Sequence, residues 1–236
     1  MSAPSLRARV RSEMSQEIKE VARKHLAADG ANLSLRAVAR DMGIVASALY
    51  RYFPSRDALL TALIIDAYDA LGAAATEAEA AVPRTDLRGR WLVVCRAVRA
   101  WALSHPAEYG LLYGSPVPGY AAPQETVAPA AKVVLLLVDI VIDGADRLEP
   151  LPSTTIPDPV RADLRRLIDE RPGDLTEQRP GGLPEERLDR VFLAWTHLFG
   201  LLNFEVFGRL DDMINARADY FTHHMTLMAD QAGLPR

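Results

Sequence analysis

Between Ala46 and Tyr52 the chain reads Ala-Ser-Ala-Leu-Tyr-Arg-Tyr. Three small residues, Ala46, Ser47 and Ala48, come just before two phenols and a guanidinium, Tyr50, Arg51 and Tyr52. Small side chains let a helix end approach another surface closely. Hydroxyl and guanidinium groups donate to phosphate oxygens. The combination suits a helix tip that enters the major groove of a duplex while the flanking groups hold the sugar–phosphate backbone. Leu49 and Phe53, at i and i+4, face inward and hold the tip from behind. On periodicity alone, the same residues also fit a helical hairpin inside an ordinary bundle.

Catalytic constellations are missing. The chain has no Gly-rich phosphate loop, no His-Glu-x-x-His and no Gly-x-Ser-x-Gly. His223 and His224 are adjacent, so on a helix they diverge by about 100°, a poor arrangement for a metal. His223 with Asp219 reads as a surface pair. No enzymatic activity, cofactor or metal is expected. Cys95 is the only cysteine, which excludes a disulfide within the chain, and it reads as a small hydrophobe on an apolar helix face.

The elements that position the tip are legible in order. Met14, Ile18, Val21, Ala22, His25 and Leu26 mark the inward face of a first helix, ended by Asp29-Gly30-Ala31-Asn32. Before it, Ser2–Arg11 carries Arg7, Arg9 and Arg11 and reads as a flexible arm turning helical at its end, suited to lie along phosphates or reach a minor groove. Ser34 is a good N-cap for a second helix with Leu35, Val38, Ala39 and Met42 on one face. Gly43 supplies the left-handed residue that ends it. Val45–Tyr52 is too short to be an independent helix. Pro54 breaks the chain, Ser55 caps, and Arg56 opens a helix running to about Ala81, a rigid lever.

Beyond the break at 82–85, helices are expected over Asp86–Ser104, Ala107–Tyr113 and Pro123–Arg147, with a loop at 114–120. The Pro-, Gly- and polar-rich stretches Glu149–Thr155 and Arg171–Pro184 bracket a helix at about Asp158–Glu170 and are expected to be exposed and mobile. Pro184 starts a long helix that Gly208 breaks, and Asp211–Ala232 is the last. These two apolar helices carry more hydrophobic surface than one small body covers, which points to a four-helix bundle with the same pair from a second chain.

The 236 residues carry a formal charge of −4, which does not suggest a nucleic-acid partner. The distribution does. Residues 1–56 hold ten Lys/Arg against five Asp/Glu, while the remaining 180 hold 17 against 26. A basic head on an acidic body fits one end meeting a polyanion. No signal peptide is visible in Met1–Val10, and the most apolar segment, Val133–Ile142, is interrupted by Asp139 and too short to cross a bilayer. A cytoplasmic, reduced protein without membrane contact is expected.

The head closely resembles the helix-turn-helix of the tetracycline-repressor (TetR) family. The resemblance rests on Leu-Ser-Leu-Arg-Ala-Val-Ala (33–39), Met-Gly-Ile (42–44), Ala-Leu-Tyr-Arg-Tyr-Phe (48–53) and Pro-Ser-Arg-Asp-Ala-Leu-Leu (54–60). It implies that Arg36 faces DNA and reaches a base edge or phosphate, and that Arg56 grips a phosphate, aided by the N–H groups of its helix start. The DNA-facing set is then Ser34, Arg36, Ala46, Ser47, Ala48, Tyr50, Arg51, Tyr52 and Arg56. In the body, His105–Pro116 and the segment from Ala194-Trp195 through Gly200 to Glu205 are similar to the Trp-His-Gly subtype of C-terminal domain, with Phe199 where that subtype has His and His197 two residues earlier.

The resemblance implies an all-α protein. Residues 1–57 form the helix-turn-helix domain, with the lever helix continuing to about 81. Residues 82–236 form the ligand-binding and dimerisation domain. It also implies a ligand-responsive transcriptional regulator, a repressor leaving a near-palindromic duplex operator when a small apolar or aromatic effector enters the body. Trp91, Cys95, Tyr109, Tyr113, Phe192, Trp195 and Phe199 are the candidate effector-lining residues, each taken singly more readily read as core. The alternative is a helical ligand-binding or enzymatic protein whose basic head contacts a protein partner. Charge segregation and the Ala-Ser-Ala tip disfavour it.

Overall fold

The computed structural model describes residues 5–29, 33–150, 155–169 and 183–236. Among these the chain is all-helical, with no strand. The helices are α1 (Leu6–Asp29), α2 (Leu35–Asp41), α3 (Ala46–Leu49), α4 (Arg56–Ala80), α5 (Leu87–Ser104), α6 (Pro106–Tyr113), α7 (Val127–Asp143), α8 (Asp158–Asp169), α9 (Glu185–Val206) and α10 (Arg217–Gln231). A single 3₁₀ turn at Gln124–Thr126 precedes α7.

Local signals set the head's boundaries. The Ser34 hydroxyl accepts from the Ala37 N–H at 3.4 Å and caps α2, a contribution of about 1 kcal/mol. Gly43 takes φ +68° and turns the chain out of α2 without the clash a side chain would meet. The Ser55 hydroxyl accepts from the Ala58 N–H at 3.0 Å, starting α4 with Arg56 in its first position.

Two compact units follow, one of Met1–Leu71 with Ala102–Ala130, the other of Gly72–Trp101 with Ala131–Arg236. The first unit's core joins Ile18, Ala22 and Leu26 of α1, Val38 and Ala39 of α2, Leu49 of α3 and Leu59, Leu60 and Leu63 of α4. Residues of α6 and of the loop that follows it complete it. Val117 is buried there, Leu111 and Tyr120 pack against it, and the Tyr120 hydroxyl lies 2.9 Å from the Thr61 hydroxyl.

In the second unit α5 is tied to four neighbouring helices. Arg99 makes a two-pronged pair with Glu205 of α9 at 2.5 and 2.9 Å. Arg88 pairs with Asp230 of α10 at 2.8 Å. Arg90, fully buried, donates to Glu79 at 2.5 Å and to Asp143 at 2.8 Å, while Arg84 bridges the same two carboxylates from the surface. Two positive and two negative groups close this cluster, which joins the ends of α4 and α7 to α5.

Three expectations need correction. Leu6–Arg11 is already helix and not a flexible arm, since it continues α1 without a break. The helix expected over Pro123–Arg147 ends at Asp143, where Gly144 and the residues to Arg147 form turns. The last helix starts at Arg217 rather than Asp211, because Gly208 (φ +70°) and Asp212 (φ +58°) both take left-handed backbone. As expected, Val133–Ile142 is too short to cross a membrane; among the described residues α4 is the one helix long and apolar enough to do so. Half of α4's most apolar stretch is buried inside the protein, and Leu59, Leu60, Leu63, Ala67 and Leu71 are core residues. The Gly30–Asn32 stop and most of the two stretches expected to be mobile lie outside the described residues.

Candidate nucleic-acid interface

Helix α3 is a single turn of four residues, too short to persist alone. It is held from behind. Leu49 is fully buried, Phe53 is buried with it, and Ala46 and Tyr52 pack against the same core. What remains outward is Ser47 and Tyr50, both exposed, with Ala48 partly so and Arg51 exposed beyond them. Tyr50 is 43% exposed, a large apolar ring on a surface built of small residues.

Arg36, in the first turn of α2, is exposed, and Ser34 before it is exposed while capping the helix. Arg56 is half-buried at the start of α4 and lies 3.8 Å from Asp57. Nine predicted positions therefore fall on three consecutive elements and the loops that join them. Ser47, Tyr50, Arg51, Ser34 and Arg36 offer exposed polar groups, whereas Ala46 and Tyr52 contribute in part to the core.

One contact escaped the sequence reading. Arg11 of α1 donates to the Arg51 carbonyl at 3.2 Å, and its guanidinium lies 5.5 Å from the centre of the Tyr52 ring. The start of α1 thus reaches the end of the α3 turn. Period-based reading of Arg7, Arg9 and Arg11 placed no side chain there.

The seven aromatic and thiol positions expected to line an effector site divide between the units. Tyr109 and Tyr113 belong to the first, where their ring centres lie 5.1 Å apart and Tyr68 meets Tyr113 edge-on at 6.0 Å. Burial pushes the ionisation of both phenols well above the ordinary range. Trp91, Cys95, Phe192, Trp195 and Phe199 belong to the second. Trp91 is buried and its indole N–H donates to the Met225 carbonyl at 3.3 Å. Burial pushes the Cys95 thiol up to about 12, so it stays protonated and inert at neutral pH.

On α9, Trp195 meets Phe192 and Phe199 edge-on at 5.9 and 6.0 Å. Its indole N–H is buried and meets no acceptor among the described residues, and the Asn203 side-chain carbonyl is in the same condition. Also unforeseen, His197 of α9 stacks on His224 of α10 with ring nitrogens 2.9 Å apart. Burial, then the neighbouring His224, lowers the His197 pKa. Among the described residues no group of three or more metal-ligating side chains forms.

A model of the TetR family of bacterial regulatory proteins matches residues 18–63, and a model of the tetracyclin repressor-like C-terminal domain matches residues 91–228. The HTH-type transcriptional regulator Rv1816 of Mycobacterium tuberculosis is 37% identical over 204 residues, covering 84% of this chain and 83% of that protein. The regulator Mb1846 of Mycobacterium bovis matches to the same extent. The solved structure of SCO4313 is 32% identical with a TM-score of 0.75, covering 97% of this chain and all of that one. A small-residue helix tip held by one buried leucine, a matching head and a matching body lead to one conclusion: the chain belongs to the TetR family of helix-turn-helix transcriptional regulators.

Proposed function

We propose that this regulator is a cytoplasmic homodimeric repressor that leaves a near-palindromic operator when a small apolar or aromatic molecule enters its C-terminal body. The observation that carries the DNA half is the α3 turn, in which Leu49 alone is fully buried and Ser47 and Tyr50 stand outward. The reading head is residues 1–57, the lever runs to about 81, and residues 82–236 receive the effector and pair with a second chain. Two heads would sit about 34–36 Å apart, one turn of duplex.

Exposed apolar side chains on the last two helices support pairing through them. Leu193 and Phe204 of α9 and Leu227 of α10 are 45%, 48% and 41% exposed. A second copy of the same pair would cover them as a four-helix bundle. The unsatisfied Trp195 indole N–H beside Phe192 and Phe199 supports an effector carrying a hydrogen-bond acceptor on an aromatic or apolar frame, because a buried donor without a partner is costly until one is supplied. The same Trp195–Gly200 segment is where the body resembles the Trp-His-Gly subtype, with Phe199 in place of that subtype's His. Trp195→Phe removes only the N–H and part of the ring. A molecule that releases the wild-type protein from its duplex is expected to need at least tenfold higher concentration against this variant. An unchanged requirement would remove Trp195 from the site.

Titration of duplex binding at several salt concentrations tests the interface. Arg56→Gln is expected to weaken binding to every sequence and reduce the salt slope by about one phosphate contact. Tyr50→Phe is expected to weaken every sequence alike. Ser47→Ala is expected instead to alter preference at particular bases. Equal behaviour of all three on matched and mismatched duplexes would contradict the assignment.

A further inference from the structure

The first two turns of α1 stand outside the head's core. Met14 is where α1 begins to pack, yet Leu6 and Val10 continue its stripe at i, i+4 spacing and are 69% and 50% exposed. An apolar stripe carried past the core by two turns covers nothing inside the unit. It forms one wall of a groove. Leu6, Arg7, Val10 and Arg11 line that wall, and Ala48, Arg51 and Tyr52 line the opposite one.

The charge of this groove is one-sided. Three of its lining side chains are guanidinium groups and none is acidic. Among the described residues none of these three arginines meets a carboxylate, whereas Arg84, Arg88, Arg90, Arg99 and Arg161 of the second unit all do. Arg11 is also held in place by the Arg51 carbonyl and the Tyr52 ring, so little side-chain entropy remains to be lost on binding. Arg7 and Arg11 lie one helical turn apart, a rise of about 6 Å, which lets them reach neighbouring phosphates.

The geometry points to this groove as the seat of one DNA strand's sugar–phosphate backbone, beside the bases that α3 reads. Arg7 and Arg11 hold phosphates from the α1 side, Arg51 closes on them from the other, and Leu6 and Val10 cover the apolar faces of the sugars. The inference rests on the DNA-binding reading above and adds a rigid helical wall to it. Charge complementarity and the shared Ala48, which belongs to the tip, favour a strand over an acidic protein segment.

The test uses the full chain and a fluorescein-labelled mixed-sequence duplex of about 40 base pairs, whose binding is dominated by phosphate contacts. Arg7→Gln with Arg11→Gln is expected to lower affinity at least tenfold at low salt and to reduce the slope of log K against log salt by about two. Arg9→Gln, on the far side of the same helix, removes an equal charge and is expected to leave the slope almost unchanged. All three side chains are exposed, and unchanged far-UV circular dichroism would confirm intact folding. A double variant with the wild-type slope, or an Arg9→Gln effect equal to that of Arg7→Gln, would overturn the groove assignment while leaving α3 in place. Failure of the wild-type chain to bind any duplex would instead overturn the DNA reading itself. Retained duplex binding by the double variant with lost binding of an acidic peptide would assign the groove to a protein partner and overturn the inference.

Discussion

Arg90→Met is expected to destabilise the protein by about 3–5 kcal/mol, read as a loss of unfolding free energy in denaturant. The side chain is completely buried and donates to two carboxylates, Glu79 and Asp143. Glu79 is itself only 6% exposed, so the substitution strands a buried negative charge. Arg84 remains beside both carboxylates, but at 66% exposure it is solvated and screens them weakly. The cost comes from the abandoned charge and not from the worth of the pair. Arg90→Met combined with Glu79→Leu is therefore expected to recover most of the loss. A single-variant cost below about 1 kcal/mol, the range of an exposed ion pair, would show that water reaches this cluster.

Leu49→Ala is expected to cost about 2–5 kcal/mol within the head and to abolish measurable duplex binding. Four residues cannot hold a helix by their own hydrogen bonds, and Leu49 is the fully buried side chain that fastens them into the core shared with Ile18, Val38 and Leu59. Once that anchor goes, Ser47 and Tyr50 lose the fixed orientation on which base contacts depend. Leu49→Met keeps the volume and is expected to cost less than about 1.5 kcal/mol and to retain binding. Parallel duplex titrations and thermal melts check both. Full duplex affinity in the Ala variant would mean that another element presents the tip.

How much of this was legible in the chain depended on distance along it. The head's boundaries rest on neighbours three or four residues apart, such as Ser34 with Ala37 and Ser55 with Ala58, so caps and periodicity sufficed. Which side chains of the α3 turn stay exposed was equally readable, because Ser47 and Tyr50 point outward where Leu49 and Phe53 point inward. Features made by residues far apart were not. Thr61 meets Tyr120 across 59 positions, and nothing in either segment announces the other. Arg90, Glu79, Asp143 and Arg84 each look like ordinary helix-end charges until the fold assembles them. His197 and His224 were weighed separately, His224 only against its neighbour His223, although its ring also stacks on that of His197 from the facing helix. The aromatic set expected around an effector was chosen by residue type, which carries no record of which side chains share a unit.

Under the proposed function, two copies of this chain set two α3 tips on one duplex at a separation of one helical turn. The direct measurement takes a duplex recovered by selecting genomic fragments with the protein. Light scattering on the purified complex then counts chains, and hydroxyl-radical cleavage maps the protected sugars. Two chains per duplex with two protected patches about 10–10.5 base pairs apart is the predicted result. One chain per duplex, or a single protected patch, would contradict it.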